Sequence, residues 1–176
     1  MYKLKNTTVI NLFGGPGIGK STLMARIFAE LKTQGFDCEM APEFFKDLIW
    51  EERQIAMQDD LYTLAMQSHK IFTLNGKVDI IITDSPILLK AIYAKNDSCL
   101  SQVVINEFLK YNNLNLLLKR ETEYQANGRI HNLESSIEID KEIEKVFKCH
   151  NIPYSTISVN NIDNIIEFIK KKVIIR

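Results

Sequence analysis

Short apolar runs alternate with longer amphipathic stretches along the chain. The apolar runs have the length and composition of β-strands and cover residues 7–13, 36–42, 78–83, 114–118 and 154–159. Between them, apolar residues recur every three or four positions, as on one face of a helix, across residues 23–31, 61–72, 100–111, 139–147 and 162–173. Strands that alternate with helices favour right-handed crossover connections and a parallel sheet with both faces covered. The pattern predicts an α/β protein with three α/β/α layers around a five-stranded parallel sheet.

The first apolar run leads into a glycine-rich loop. Residues 14–21 fit the pattern G-x-x-x-x-G-K-S/T in full. The glycines let successive backbone N–H groups turn inward, and the N-terminus of the following helix adds to the same concave anion site. An ordinary glycine-rich turn is the alternative, but the apolar run before the loop and the helical stripe after it favour phosphate binding. The predicted nucleotide-binding residues are Gly14, Gly15, Pro16, Gly17, Ile18, Gly19, Lys20, Ser21 and Thr22.

Length, charge and cysteine content narrow the class of protein. The 176 residues predict a single domain, residues 1–176. Lys and Arg number 22 and so do Asp and Glu, so bulk packaging of nucleic acid is not expected, although a local basic groove stays open. The three scattered cysteines match no zinc or redox pattern and favour reduced thiols. No run approaches the roughly 18 apolar residues of a membrane span, so we expect a soluble, cytoplasmic protein without a membrane partner.

Two further strand ends carry an acidic side chain. Ligands bind at the carboxyl ends of the strands in a parallel sheet, which makes Glu43 and Asp84 candidates for chemistry. Asp84 follows a buried run, as the acid that holds Mg²⁺ does in phosphate-loop enzymes, so Ser21 and Asp84 are the predicted metal ligands. The alternative for Asp84 is an Asx turn or helix cap before Pro86. Glu43 would accept a proton from an attacking hydroxyl or help to hold the metal, and its alternative is a solvated glutamate at a helix start.

A polar segment with two arginines follows the fourth strand. Phosphoryl transfer spreads negative charge over the moving group, and a cationic lid neutralises that charge while it excludes water. We predict a lid around residues 120–132, with Arg120 and Arg129 as its catalytic cations, and Gly128 gives the loop around Arg129 room to close. A solvated charged loop is the alternative, because acidic residues interrupt the basic character of the segment.

These residues resemble the P-loop kinases of small molecules, in particular the deoxynucleoside, nicotinamide riboside and nucleoside monophosphate kinases. The resemblance implies the P-loop NTPase fold and covers most of the chain as an order of elements. In the deoxynucleoside kinases a glutamate at the end of the second strand is the base, as Glu43 would be here. A helix after it supplies aromatic residues and a glutamine that read the nucleobase, and Trp50, Tyr62 and Gln67 look like those positions. The alternatives are core positions for Trp50 and Tyr62 and a helix-surface position for Gln67.

One departure from that family concerns the third strand. Deoxynucleoside kinases usually place Glu-Arg-Ser after it, whereas this chain has Asp84-Ser85-Pro86. The task of the missing arginine would fall to Arg53, Arg120 or Arg129, or the acceptor differs from a free nucleoside. The chain also looks like small P-loop kinases from bacteriophage genomes, some of which phosphorylate a hydroxymethylated base within DNA. A DNA acceptor therefore remains an alternative.

Two other classes of function stay open. A P-loop NTPase would use hydrolysis for a regulatory or mechanical purpose, although the chain has no guanine-reading Asn-Lys-x-Asp sequence. A nucleotide-binding module without turnover would need neither a base nor a charge clamp. We therefore expect a Mg²⁺-dependent kinase that transfers the γ-phosphoryl group of ATP to a hydroxyl of a nucleoside, nucleotide or related small molecule. Its catalytic residues would be Lys20, Glu43, Asp84, Arg120 and Arg129, its substrate-binding residues would be Glu43, Trp50, Arg53, Tyr62 and Gln67, and a homodimer remains an open alternative to a monomer.

Overall fold

A single parallel sheet forms the centre of the protein. The computed structural model describes residues 5–93, 98–121 and 133–174 of the chain. The strands are β1 (Thr8–Phe13), β2 (Cys38–Met40), β3 (Ile80–Thr83), β4 (Asn112–Leu118) and β5 (Ser155–Ile157). They pair in the order β2-β3-β1-β4-β5, and every pairing is parallel. The predicted five-stranded parallel sheet is therefore confirmed.

Helices connect the strands. They are α1 (Lys20–Thr33), α2 (Phe44–Trp50), α3 (Gln54–Met57), α4 (Asp60–Leu74), α5 (Leu89–Tyr93), α6 (Ser98–Phe108), α7 (Leu133–Cys149) and α8 (Ile162–Ile174). The five longest correspond to the predicted helical stripes. The sequence pattern missed α2, α3 and α5, because four to seven residues are too few to show a helical period. Among the described helices, none is long and apolar enough to cross a bilayer.

Apolar side chains cover both faces of the sheet. On one face, Ile10 and Leu12 of β1 pack in a cluster with residues of α1 and α8. On the other face, Val9 and Phe13 of the same strand pack with residues of α4, α5, α6 and α7. Successive residues of a strand point to opposite faces, so a strand buried on both sides is apolar almost throughout. This arrangement confirms the predicted three layers.

A buried asparagine network lies between β1 and β4. Asn11 is 1% exposed, and its Nδ2 donates hydrogen bonds to Oδ1 of Asn113 at 2.8 Å and to Oδ1 of Asn115 at 3.1 Å. A buried amide left without a partner would cost about 1–3 kcal/mol, so these bonds favour the observed register, in which Asn11 lies opposite Asn115. The register matters for function because β1 leads into the glycine-rich loop and β4 leads to Arg120.

The buried face of α4 differs from the predicted one. The sequence pattern placed Leu61 and Phe72 on the apolar stripe, but the structure leaves them 66% and 67% exposed. The buried residues are Thr63, Leu64, Gln67 and Ile71. Two polar residues therefore lie on the inner face, where Oγ1 of Thr63 donates to the carbonyl oxygen of Asp59 and Oε1 of Gln67 accepts the N–H of Phe44.

Candidate active site

The glycine-rich loop follows the central strand of the sheet. Gly14, Gly17 and Gly19 have φ values of 148°, 84° and 95°, a region that side chains with a Cβ rarely adopt. Gly19 caps α1 in the left-handed conformation, and no side chain of the described residues caps the helix. The first N–H groups of α1 have no intrahelical partner by construction. The loop thus has left-handed glycines and leads directly into a helix N-terminus, two features that a phosphate-binding site would use.

Lys20, the first residue of α1, folds back over this loop. Its Nζ donates hydrogen bonds to the carbonyl oxygens of Gly14 at 2.6 Å and Gly15 at 3.1 Å. These contacts hold the ammonium group at the loop's own backbone. Ser21 and Thr22 follow in the first turn of α1 and are exposed, so their hydroxyl groups are accessible from solvent.

Asp84 and Glu43 meet at the carboxyl ends of β3 and β2. Asp84 is only 5% exposed, and its Oδ1 accepts a hydrogen bond from the backbone N–H of Glu43 at 3.1 Å. This bond joins two neighbouring strand ends, and no residue in the described part of the chain donates a hydrogen bond to the second oxygen of Asp84. The structure therefore brings these two predicted residues together.

The carboxyl group of Glu43 is half-buried in a mixed electrostatic environment. Burial raises its pKa above the usual range of a glutamate, and the negative charge of Asp84 raises it further. Lys20 opposes both effects by attracting the ionised form. A carboxylate whose pKa is raised accepts a proton more readily, which is the property required of a general base near neutral pH.

Gln67 supports the start of α2 from the inner face of α4. Its Oε1 accepts a hydrogen bond from the backbone N–H of Phe44 at 2.8 Å, and the side chain is only 7% exposed. The alternative of a helix-surface position for Gln67 is therefore wrong. Its Nε2 is buried and has no hydrogen-bond partner among the described residues. A buried N–H donor of this kind usually forms a hydrogen bond with a water molecule or a ligand atom.

The other predicted substrate residues lie on α2, α4 and the turn between α2 and α3. Trp50 is 78% exposed, so the core alternative is wrong for this residue. Tyr62 packs edge-on against Phe44, with ring centroids 5.6 Å apart, and the guanidinium of Arg53 lies 5.7 Å from its ring. Arg53 and Tyr62 line an open cavity of about 690 Å³, which Ile55 also borders. No residue of the glycine-rich loop lines this cavity, and neither does Trp50, so of the predicted substrate residues it brings together only Arg53 and Tyr62.

Arg120 lies against the glycine-rich loop rather than in solvent. It forms a salt bridge with Asp140 of α7, with Nη2 2.9 Å from Oδ2, and its Nη1 donates to the carbonyl oxygen of Pro16 at 3.3 Å. The solvated-loop alternative is therefore wrong for Arg120. Arg129 and most of the predicted lid lie outside the described residues.

The sequence reasoning missed two residues. Asp140 contacts the glycine-rich loop at Gly15, and Tyr93 at the end of α5 interacts electrostatically with Glu43 and Asp140. Burial of its hydroxyl end, with smaller contributions from Glu43 and Asp140, raises the pKa of Tyr93 to about 12, although 47% of the residue is exposed. The phenol of Tyr93 therefore stays neutral at physiological pH.

The donor groups present fit a nucleotide with Mg²⁺. Hard oxygen ligands from a hydroxyl and a carboxylate, as in Ser21 and Asp84, suit Mg²⁺, which keeps several water ligands of its own. Backbone amides at a helix start and the ammonium group of Lys20 suit phosphate oxygens. In the described residues, no group of three or more His, Cys, Asp or Glu residues offers a dedicated metal cage. That chemistry favours a metal shared between protein and phosphate.

Comparisons with known proteins bear on the fold of the chain. A family model described as "AAA domain" matches residues 9–164, and no curated protein sequence matches the chain. Among solved structures, "Crystal structure of NadR protein in complex with NR" matches with a TM-score of 0.68 and 16% sequence identity. The match covers 97% of this chain and 53% of that chain, so this chain spans about half the length of that protein. The likeness shows the P-loop NTPase fold that the sequence resemblance implied.

Proposed function

The chain belongs to the AAA domain family, and from that premise we propose that it is a Mg²⁺-dependent kinase that uses ATP. Its acceptor would be a hydroxyl of a nucleoside, nucleotide or related small molecule. The observation that supports the proposal most strongly is that Lys20, Asp84 and Glu43 interact beyond the carboxyl ends of neighbouring strands. Oδ1 of Asp84 accepts a hydrogen bond from the backbone N–H of Glu43. The charge of Asp84 raises the pKa of the Glu43 carboxyl group, and the charge of Lys20 lowers it.

The glycine-rich loop would hold the phosphates of ATP. Phosphate oxygens would take the place of the carbonyl oxygens of Gly14 and Gly15 at the ammonium group of Lys20. The N–H groups of the first turn of α1 would donate to the same phosphates. Ser21 and Asp84 would hold Mg²⁺, which neutralises charge on the β- and γ-phosphates when it is bound.

Glu43 would act on the acceptor. It lies one residue before α2, its backbone N–H bonds Asp84, and the charges of Asp84 and Lys20 act on its carboxyl group. It would take the proton of the acceptor hydroxyl as the bond between that oxygen and the γ-phosphorus forms. The bond between the γ-phosphorus and the bridging oxygen breaks in the same step, and ADP leaves with the electron pair.

The acceptor would lie between the glycine-rich loop and the segment that contains α2, α3 and α4. The buried Nε2 of Gln67 has no hydrogen-bond partner among the described residues, and Oε1 of the same side chain accepts the N–H of Phe44, the residue after Glu43, which supports this location. Tyr62 and Arg53 would provide an aromatic face and a cation, and Trp50 a second aromatic face. The NR in the NadR complex makes ribosides the first acceptors to test.

Arg120 would stabilise the charge on the moving phosphoryl group, since it already lies beside Pro16 in the loop. Arg129 and the lid around residues 120–132 remain part of the proposal, as do the single domain, the cytoplasmic location and an optional homodimer. An acceptor within DNA is the alternative to a small molecule. NTP hydrolysis with a regulatory or mechanical purpose is the alternative to transfer.

The test is an acceptor panel with γ-labelled ATP and Mg²⁺. The panel contains nucleosides, nucleoside monophosphates, nicotinamide riboside, plain DNA and DNA with hydroxymethyluracil, and the Lys20→Ala variant serves as the blank. Label on one free small molecule supports the proposal and names the acceptor. Label on DNA instead selects the nucleic-acid alternative. Phosphate release without any labelled acceptor would overturn the kinase proposal in favour of an NTPase.

A further inference from the structure

Asp140 joins three parts of the chain that are distant in sequence. Its Oδ1 accepts a hydrogen bond from the backbone N–H of Gly15 at 2.5 Å. Its Oδ2 accepts from Nε and Nη2 of Arg120 at 3.0 and 2.9 Å. Because Nη1 of Arg120 donates to Pro16, the contacts form a closed ring that passes from the loop through Asp140 and Arg120 and returns to the loop.

The ring is largely shielded from water. The side chains of Arg120 and Asp140 are 14% and 23% exposed, so solvent competes weakly for their hydrogen bonds. Nε and Nη2 of Arg120 both donate to the same oxygen of Asp140, and Nη1 donates to Pro16, so three hydrogen bonds restrain the planar guanidinium group. Arg120 therefore has one defined orientation rather than the many rotamers of a surface arginine.

The backbone of α7 reinforces this arrangement at Gly15. A Cβ built on Gly15 would clash with the carbonyl oxygen of Ser136, one turn before Asp140, and would approach Nη2 of Arg120 to 3.1 Å. Position 15 therefore needs glycine for space, and its φ is not in the left-handed region. The first turn of α7 therefore packs directly against the glycine-rich loop. Because Asp140 of α7 holds Arg120, a movement of α7 changes the position of Arg120.

From these contacts we propose that Asp140 is a positioning residue that orients Arg120 toward the transferred phosphoryl group. The proposal rests on the proposed function, because it assigns Asp140 a role in that reaction. Asp140 carries negative charge and would repel phosphate, so it acts through Arg120 and not on the substrate. Its task is to hold Arg120 beside the loop before the nucleotide arrives, which lowers the reorganisation required in the transition state.

The test is a double-mutant cycle of Asp140→Asn and Arg120→Gln. Turnover and the Kd for Mg·ATP are measured for both single variants and the double variant. A misplaced catalytic cation costs about 10²-fold in rate, so Asp140→Asn should lower kcat by about that factor and change the Kd for Mg·ATP by less than about threefold. The double variant should be no slower than Arg120→Gln alone, because the amide oxygen of asparagine still accepts the N–H of Gly15 and the substitution removes only the charged contact with Arg120.

Two further variants separate positioning from general damage to the fold. Glu138→Gln removes one charge from an exposed position of α7 and should leave kcat unchanged. Asp140→Glu retains the carboxylate and should recover part of the rate that Asp140→Asn loses. Independent effects that multiply in the double variant would overturn the positioning role, and so would an Asp140→Asn variant that turns over at the wild-type rate. If the wild-type protein transfers no phosphoryl group at all, the proposed function fails. The free energies of unfolding of the same four proteins then still measure the coupling between Arg120 and Asp140.

Discussion

The backbone N–H of Glu43 donates a hydrogen bond to Oδ1 of Asp84 at 3.1 Å. The two residues follow neighbouring strands, β2 and β3, and are 41 positions apart in sequence. In the proposed mechanism this bond ties the base to the metal ligand. The distance between acceptor and metal is then set by the rigid sheet rather than by a flexible loop.

We expect Asp84→Asn to weaken the use of Mg²⁺ without unfolding the site. The amide oxygen of asparagine still accepts the Glu43 N–H, but the negative charge that attracts the metal is lost. Turnover at fixed Mg²⁺ should fall about 100-fold, equivalent to about 2.7 kcal/mol, and half-maximal activity should require more Mg²⁺. A Mg²⁺ titration of activity checks this, with Asp163→Asn in the first turn of α8 as the control. An unchanged titration curve would remove Asp84 from the metal site.

We expect Glu43→Gln to slow the chemical step while ATP binding persists. The substituted side chain keeps its size but accepts no proton, and general base catalysis contributes about 10²–10⁴-fold. Single-turnover kinetics give the rate of the chemical step, and titration with a fluorescent ATP analogue gives the Kd. Glu30→Gln, at an exposed position of α1, is the matched control. A variant as fast as wild type would exclude Glu43 as the base.

The raised pKa of Glu43 also predicts a pH-dependent effect on stability. Because the folded state favours the protonated form, Glu43 stabilises the fold fully below its ordinary pKa of 4.5. This contribution is lost as the pH rises through the higher pKa of the folded state. Glu43→Gln should therefore be more stable than wild type at neutral pH, and the difference should shrink as the pH falls toward about 4. Thermal unfolding over that pH range measures it, and a less stable variant at neutral pH would contradict the assigned environment.

Gly15→Ala should impair both folding and nucleotide binding. The added methyl group clashes with the carbonyl oxygen of Ser136, and overpacking of this kind costs about 1–3 kcal/mol in the free energy of unfolding. The Kd for Mg·ATP should rise, because the loop must move away from α7. Gly35→Ala is the control, since Gly35 has a φ of 84° but open space around it. That variant should lose stability yet bind ATP normally, and equal binding by the two variants would argue against the close contact of α7.

Local patterns explain which features the sequence predicted. The apolar runs predict the strands of the sheet, and the motif at residues 14–21 predicts the glycine-rich loop. Glu43 and Asp84 were predicted as well, because each follows the end of an apolar run. The buried face of α4 was mispredicted because Thr63 and Gln67 take inner positions that hydrogen bonds make acceptable. A pattern based on hydrophobicity alone does not register that compensation.

Asp140 shows what such patterns miss. It lies 125 positions from Gly15 and 20 from Arg120, and only the folded chain brings the three together. One signal was available in the helical spacing of α7. Ser136 and Asp140 continue the line of the buried residues Ile143 and Phe147, so two polar side chains interrupt an inner face. A polar residue on the inner face of a helix indicates a hydrogen-bond partner elsewhere in the fold.

The central claim is that the γ-phosphoryl group passes to an acceptor and not to water. The most direct measurement is the ratio of free phosphate to ADP during turnover with Mg·ATP, with and without the acceptor that the panel identifies. We predict rapid ADP formation with little free phosphate when the acceptor is present, and loss of both signals in Lys20→Ala. Equal amounts of phosphate and ADP, unaffected by any acceptor, would contradict the kinase account.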